Sequence, residues 1–205
     1  MFSPQGMGLE RGWPGRVDGD RVVQLAAQTL QVFFTAGGAL REHAEYPLAE
    51  VDLRPPVLHP PSIRLFGEGD DFVFGNTAAV YGPDEDVPYP RGSEELRSRP
   101  AVAAVIGTAG AIAGFTGANA WYAPDLPAAK SYDFALSLGP AIVTPDEYAA
   151  GPGWGARLDG ASLNTVLRPG DLLVHPLGPG APVSRGEAVE VTVDGMGVLK
   201  NRLAS

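Results

Sequence analysis

The sequence predicts a mainly β protein of the α+β class, because its composition and the spacing of its turn-forming residues both favour short strands. The 205 residues include 27 glycines and 20 prolines, which is too many for a helical protein. These residues divide the apolar segments into short runs, as turns do in a β-rich domain. Near the end of the chain, the segment AVEVTV (188–193) alternates as a strand does. We therefore expect a β-rich sandwich or roll that follows a small N-terminal α+β segment.

Charge and composition exclude several classes of partner. The formal net charge is −9, which disfavours binding to nucleic acid or to an anionic membrane surface. No apolar run approaches the roughly 18 residues of a transmembrane helix, and the first residues lack the features of a signal peptide. The absence of cysteine excludes disulfides and thiolate sites. We expect a cytoplasmic protein whose partner is a small-molecule substrate.

Residues 1–56 predict a tail followed by the small α+β segment. The polar, glycine-rich stretch 1–12 is typical of a disordered tail, or of one draped on a neighbour. Residues 16–25 read as a hairpin, with Asp18 and Gly19 supplying the turn. Periodicity does not decide whether residues 29–36 (TLQVFFTA) form a helix or a strand.

A proline-rich linker separates this segment from the predicted core domain, residues 57–205. Two proline pairs, 55–56 and 60–61, favour an extended chain, because proline fixes its own φ and restricts the preceding residue. In the core domain, the apolar run 102–106 stops at Gly107. A second apolar segment, 111–116, follows at hairpin distance. A loop containing Asn119 and a further strand that ends at 138–140 come next.

Short motifs follow one another in a fixed order through this central stretch. They are AVIG at 104–107, GFT at 114–116, Asn119 and Trp121, KS at 130–131, DF at 133–134, LGP at 138–140 and VTPDE at 143–147. The ordered set, rather than any single motif, resembles the fumarylacetoacetate hydrolase family. The resemblance covers essentially the whole chain with two internal trims, the family's helical lid and a helix-bearing segment near 154–162. It implies the family's type of β-sandwich or roll, and a homodimer formed through this domain.

The resemblance also implies a divalent metal held by four carboxylates, but all four matching positions lack one. The family's Glu-x-Glu pair falls on Arg99 and Ala101. The aspartate after the loop asparagine falls on Ala120, and that of the family's PSIRDF segment falls on Leu65. Magnesium and calcium need oxygen ligands. We therefore expect no metal and no cofactor, and a pocket that is less polar than the family's or filled by side chains.

Four polar side chains are catalytic candidates. The resemblance gives Lys130 a role in binding substrate oxygens and steadying enolate charge, although a loop lysine is as often simply solvated. Asn119 and Tyr122 can donate hydrogen bonds to a carbonyl oxygen, although Asn119 serves equally well as a cap of its loop. His175 lies where it could replace the histidine lost with the lid, although an exposed loop histidine is the commoner case.

The remaining candidates would bind the substrate, and each has a structural alternative. Trp121 supplies an apolar wall or simply fills the core. Leu177 stands where the family has a Gly-Thr pair that contacts substrate. The binding candidates are Leu65, Phe66, Phe74, Tyr81, Ala101, Ala120, Trp121 and Leu177.

Three functions remain open on this sequence, because a fold does not fix an activity. The first is a metal-independent enzyme that cyclises or isomerises a lipophilic, carbonyl-bearing, polyketide-like intermediate by holding one conformer. The second is a binding or scaffold protein without catalysis. The third is a residual hydrolase or decarboxylase of a β-dicarbonyl acid. A continuous lipophilic pocket favours the first, and a pocket filled by side chains favours the second.

Overall fold

The computed structural model describes residues 1–35, 40–67, 69, 71–148 and 153–205. Its helices are α1 (Leu30–Thr35), α2 (Ala128–Ser131) and α3 (Trp154–Ser162), and 3-10 turns cover Leu48–Glu50 and Thr108–Gly110. Its strands are β1 (Phe2–Pro4), β2 (Gly15–Asp18), β3 (Arg21–Leu25), β4 (Glu42–Pro47), β5 (Val51–Leu53), β6 (Ile63–Phe66), β7 (Phe72–Phe74), β8 (Val80–Tyr81), β9 (Asp86–Val87), β10 (Leu96–Ser98), β11 (Pro100–Ile106), β12 (Ile112–Ala120), β13 (Leu136–Leu138), β14 (Leu172–Pro176), β15 (Ala181–Val183), β16 (Ala188–Val193) and β17 (Gly197–Leu203).

A seven-stranded sheet forms the centre of the molecule, in the order β7-β6-β14-β11-β12-β13-β8. The predicted hairpin is its middle, because β11 pairs antiparallel with β12. Strand β14 continues the sheet on the other side of β11, also antiparallel. The apolar run that forms β11 is buried on both sides, so its residues have no polar alternation.

The two faces of this sheet carry different residues, because successive side chains of a strand point to opposite sides. The front face carries a cluster of small and aliphatic residues that includes Leu65, Ala101, Ala103, Ala118, Ala120 and Val174. The back face carries larger groups that include Phe66, Val102, Ala104, Phe115 and Leu173.

Further layers cover both faces, so the architecture is a β-sandwich with short helices. A three-stranded sheet in the order β16-β17-β9 packs on the back face through Val191, Val193 and Leu199. Helix α3 joins it there through Ala161. On the front face, Phe34 of α1 packs against the cluster together with Tyr132 and Ile142. The mainly β, α+β fold expected from the sequence is confirmed.

The N-terminal part has its own small core, and the expectation of a disordered tail is wrong. Phe2 is almost fully buried with Val22 and Val51, and its backbone exchanges two hydrogen bonds with that of Trp13. Strand β1 pairs with β5, some fifty residues away, which a local reading of a polar stretch could not foresee. The hairpin of β2 and β3 is confirmed, and Gly19 takes the left-handed conformation that its turn requires (φ +59°). The boundary at residue 56 stays a prediction.

The structure also settles two local assignments. Residues 30–35 of the undecided segment are helical, whereas its last position, 36, lies outside the described residues. Residues 154–162, expected to be trimmed of a helix, form α3. The bridge expected in place of the lid, 67–71, lies partly outside the described residues. No helix in the described part of the chain is long and apolar enough to span a membrane.

Candidate functional site

The positions expected to bear metal ligands form an apolar floor on the front face. Ala101, Ala120 and Leu65 are 0%, 5% and 6% exposed, and all belong to one buried cluster. The strand registers place Leu65 two strands away from Ala103, which neighbours Ala101 on the front face of β11. This follows because Ala103 lies opposite Val174, and Val174 lies opposite Leu65. We call Leu65, Ala101 and Ala120 the floor.

The residues present do not fit the divalent metal that the resemblance implies. The floor offers only carbon atoms, and Arg99 adds a positive charge where a cation would need oxygen ligands. No group of three or more histidine, aspartate or glutamate side chains in the described ranges could hold a metal ion. The chemistry of this site must therefore be derived from the chain's own side chains.

Arg99 stands at the rim of the floor and is half-buried. It precedes Ala101 by two residues in an extended segment, so it shares the front face. Its carbonyl accepts a hydrogen bond of 3.0 Å from the backbone of Ala120. Its Nε donates to the carbonyl oxygen of Gly178 at 3.0 Å, which ties the guanidinium to the loop after β14.

Two stacked tyrosines lie beside the same loop. The rings of Tyr122 and Tyr132 are 5.5 Å apart and nearly parallel, with an interplanar angle of 22°. Tyr122 lies so close to Gly180 that a Cβ atom there would come within 2.7 Å of its ring. Tyr132 packs against the front-face cluster that contains the floor. The loop, the two tyrosines and the front-face cluster are therefore contiguous.

Lys130 lies on α2, two residues before Tyr132, and its side chain is 67% exposed. Its ammonium forms an ion pair with Asp133, three residues further along. The charge is thus solvated and paired in this structure. A role in catalysis requires Lys130 to exchange Asp133 for a ligand, and it stays a prediction.

Asn119 and Trp121 both make buried structural hydrogen bonds. Asn119 lies in β12 rather than in the expected loop, and its Oδ1 accepts from Ser98 Oγ at 3.1 Å and from the Arg99 backbone at 2.8 Å. The indole Nε1 of Trp121 donates to Ser137 Oγ at 2.9 Å. Both side chains belong to the back of the sheet, because the neighbouring positions 118 and 120 face the front. The structural alternative therefore accounts for the contacts of both.

His175 and Phe66 also lie on the back face, away from the floor. His175 is within β14, opposite Val102, and not in a loop beyond the strand. Its Nε2 is 3.2 Å from Nη2 of Arg157, and its ring meets Trp154 edge to face. The sheet separates both residues from the floor, so the structure does not bring His175 together with Lys130 or Tyr122.

The last three candidates are scattered. Phe74 is 68% exposed at an edge strand, where Arg64 lies over its ring. Tyr81 is half-buried on the back side of β8, and burial together with the charge of Glu85 raises the pKa of its phenol. Leu177 is exposed, and its backbone donates to the carbonyl of Pro100. Of the three, Leu177 belongs to the loop after β14, in which the carbonyl of Gly178 accepts the hydrogen bond from Arg99.

A cavity of about 690 Å³ opens between the N-terminal segment and the end of the sheet. Its walls are largely apolar, and Arg16, Asp18 and Glu147 are among its polar lining. Two of its lining residues, Phe34 and Ile142, also pack against the front-face cluster. None of the site residues expected from the sequence lines it. This volume is within the range of small-molecule sites.

Sequence reasoning therefore missed Tyr132, the cavity, and the hydrogen bond that ties Arg99 to the loop after β14. Tyr132 could have been found, because it is the variable position of the motif from Lys130 to Phe134. The cavity could not, because its walls come from segments more than one hundred residues apart.

Solved structures resemble this chain over nearly its whole length. Maleylpyruvate hydrolase from Sphingobium sp. SYK-6 matches with a TM-score of 0.81 and 19% identity, covering 95% of this chain and 97% of that one. 5-Carboxymethyl-2-hydroxymuconate delta-isomerase from Mycobacterium smegmatis gives 0.76 and 22%, covering 94% of each chain. A 2-keto-3-deoxy-D-arabinonate dehydratase gives 0.80 and 15%, covering 99% of this chain and 97% of that one. No protein-family model and no curated protein matches the sequence.

These neighbours define the class of fold. This chain has the fold that these structures share, and the β-rich fold implied by the resemblance to the fumarylacetoacetate hydrolase family is confirmed. At such identities the likeness extends to the fold alone. The trimmed lid and the lost metal ligands stay predictions from the sequence.

Proposed function

We propose that this protein is a metal-independent enzyme that cyclises or isomerises a lipophilic, carbonyl-bearing compound of the polyketide type. The apolar floor carries the proposal: three positions where the family resemblance requires carboxylates hold Leu65, Ala101 and Ala120 in one buried cluster. Carbon side chains in place of carboxylates suit hydrophobic bulk and not a small diacid, and a ligand reaches these buried residues only when the side chains that cover them move aside. The substrate would be held in one folded conformer, since orientation alone can contribute several kcal/mol, up to about 7–11 in favourable cases.

The neighbouring proteins support a carbonyl compound as the ligand. One maleylpyruvate hydrolase structure is a complex with manganese(II) ion and pyruvate, and the dehydratase structure is a complex with magnesium and 2,5-dioxopentanoate. This chain has no ligand set for such a metal at the floor. A hydrogen-bond donor would therefore polarise the carbonyl, and we assign that role to Tyr122, which stacks on Tyr132, and to Lys130, which lies on α2 two residues before Tyr132.

Binding of Nile red, a neutral lipophilic dye with one carbonyl group, tests the apolar site. We expect Ala120→Phe to abolish the fluorescence enhancement, because a phenyl group fills the floor. Ala156→Phe is the matched control, since it makes the same change on the exposed surface of α3 and should leave binding intact. Both variants must show the wild-type circular dichroism, because overpacking at a buried position costs about 1–3 kcal/mol. Undiminished binding by a folded Ala120→Phe variant would place the ligand elsewhere, for instance in the 690 Å³ cavity.

Turnover is tested with the compound that co-purifies with the protein, identified by mass spectrometry. We expect Lys130→Ala to lower the rate by about 10- to 1000-fold without abolishing it, because one donor of several is removed. Tyr122→Phe, which keeps the stacked ring and loses the hydroxyl, separates carbonyl polarisation from packing.

A binding protein without catalysis is the second candidate. It is favoured by Asn119 and Trp121, whose polar atoms are already used in buried internal hydrogen bonds. The front face is filled by side chains, which also favours a binding protein without catalysis. Incubation of the co-purified compound with fresh protein discriminates the two functions, because a binding protein returns it unchanged whereas an isomerase or cyclase converts it.

A further inference from the structure

The cavity of about 690 Å³ lies apart from the floor, and no residue of the floor lines it. Its walls include the hairpin of β2 and β3, helix α1, the segment 140–144 and the turn between β16 and β17. Phe34 and Ile142 stand between the two places, since both line the cavity and both pack against the front-face cluster. A ligand in the cavity would therefore not contact the floor.

The interior of this cavity is apolar. Phe33 and Phe34 belong to its wall, with ring centroids 5.5 Å apart in an edge-to-face arrangement. Val22, Leu25 and Met196 also line it, and each is more than nine-tenths buried. Aromatic walls favour contact with another ring. In another protein, a cavity of about 150 Å³ lined by leucine, isoleucine and phenylalanine holds benzene. This one therefore has room for a phenyl ring together with an aliphatic chain.

The ionisable side chains of the lining are Arg16, Asp18 and Glu147, and all three are exposed, so they form the mouth. Arg16 is already held by two carboxylates, that of Asp18 at 3.3 Å and that of Glu42 at 2.7 Å. Glu147 forms no ion pair with any described residue. The mouth thus has three carboxylates for one guanidinium, which attracts a cation and repels an anion. The net charge of −9 acts in the same direction.

We propose that this cavity is a second ligand site, which binds a lipophilic amine. The hydrocarbon body of the amine lies among the apolar walls, and its ammonium group lies at the mouth beside Glu147. Asp18 is engaged by Arg16, so it adds to the negative field and is not the anchor. The inference goes beyond the proposed function, because both the place and the ligand differ from those at the floor.

Three probes with the same phenylbutyl body test the inference: 4-phenylbutylamine, 4-phenylbutan-1-ol and 4-phenylbutanoate, titrated calorimetrically into the intact protein at pH 7 and low salt. We expect the amine to bind about fivefold more tightly than the alcohol, since an exposed ion pair contributes a factor of that order. The carboxylate should bind most weakly of the three. Raising the salt to about 0.5 M should remove most of these differences, because salt screens exposed charges.

Two pairs of variants locate the amine. Glu147→Gln, at an exposed residue where folding is not at risk, should reduce amine binding to the level of the alcohol without changing the alcohol. Glu94→Gln is its matched control, because Glu94 is exposed and does not line the cavity. Ala141→Phe narrows the cavity from its lining and should weaken both amine and alcohol. Ala156→Phe makes the same change on the exposed surface of α3 and should leave both intact.

Failure of the wild type to bind the amine overturns the site. Equal affinities for amine and alcohol overturn the anchor, as does an unchanged preference in Glu147→Gln. Loss of the preference in Glu94→Gln would show a non-specific charge effect and overturn it too. Undiminished binding of both probes by a folded Ala141→Phe variant places them outside the cavity. Ala120→Phe should leave amine binding unchanged, and saturating amine should leave the Nile red signal unchanged, so failure at the floor and failure at this cavity are distinguishable. Displacement of the dye by the amine would contradict a separate site.

Discussion

Asn119 shows how a motif residue can shape a site without contacting a ligand. Its side chain is almost fully buried and accepts hydrogen bonds from Ser98 and from the Arg99 backbone. The amide thereby fixes the strand start from which Arg99 extends toward the front face. Its position in a motif indicated importance, but its partners lie about twenty residues away, and only the fold reveals them.

Replacement of Asn119 by alanine should therefore lower stability. The change leaves the Ser98 hydroxyl and the Arg99 N–H without their acceptor, and one unsatisfied buried group costs about 1–3 kcal/mol. We expect a loss of about 2–4 kcal/mol in the free energy of unfolding, measured by urea denaturation. Ser98→Ala removes only one of the two bonds and should cost about 1 kcal/mol. A neutral Asn119→Ala variant would mean that these bonds do not hold the strand.

The floor residues lead to a second expectation at this scale, which concerns metal. Carbon side chains at Leu65, Ala101 and Ala120 leave a hard cation without oxygen ligands. After dialysis against a chelator, we expect elemental analysis to find no stoichiometric metal, and calorimetry with Mg²⁺ and Mn²⁺ to show no binding at millimolar concentrations. One equivalent of either ion, bound with heat that Ala120→Phe removes, would contradict this.

At the scale of elements, prediction succeeded where partners are close in the chain. The hairpin of β11 and β12 was expected because only four residues, 107–110, separate the two apolar runs. Strand β1 was missed because its partner, β5, lies far along the chain, and because a three-residue strand leaves no periodic pattern. The apolar side chain of Phe2 was the available signal, since it is buried where a disordered tail would leave it exposed.

The carboxylate of Asp125 ties its turn to the segment just before β10, and the strength of this contact depends on pH. The Glu94 backbone N–H and then the Ser93 hydroxyl donate to Asp125, and they lower the pKa of its carboxyl group. A group whose pKa is lowered on folding stabilises the protein above its unfolded pKa, about 3.9, and loses that contribution as pH falls through the folded value.

In the Asp125→Asn variant, stability should therefore fall less steeply than in the wild type as the pH is lowered. We expect urea midpoints of the variant to lie below wild type at pH 7 and to converge with it below about pH 3. Asp194→Asn is the control, because Asp194 is exposed in the turn between β16 and β17. Parallel curves for wild type and Asp125→Asn across this range would refute the contribution.

At the scale of the whole molecule, topology divides residues that the sequence grouped as one site. Leu65 and Phe66 are adjacent in sequence but lie on opposite faces of the sheet, and His175 follows Phe66 to the back. Motif order indicated the fold and the altered metal positions. It could not indicate which face each side chain occupies, since that depends on the register of β6, β14 and β11.

The exposed edge of the seven-stranded sheet motivates the last prediction, that two copies associate. Strand β7 ends the sheet on one side, and Val73 and Phe74 are 49% and 68% exposed there. An uncovered edge with apolar side chains favours pairing, and a second copy related by a two-fold axis provides a self-complementary cover. We expect light scattering at micromolar concentration to show a dimer.

Phe74→Asp should convert that dimer to a folded monomer, because it buries a charge at the centre of the interface. Val73→Asp tests the same edge without altering the contact between Arg64 and Phe74. Val166→Asp makes a similar change at another exposed residue and should leave the dimer intact. A monomeric wild type would contradict association altogether. Dissociation by Val166→Asp, with Phe74→Asp still dimeric, would instead locate the contact at the turn before β14.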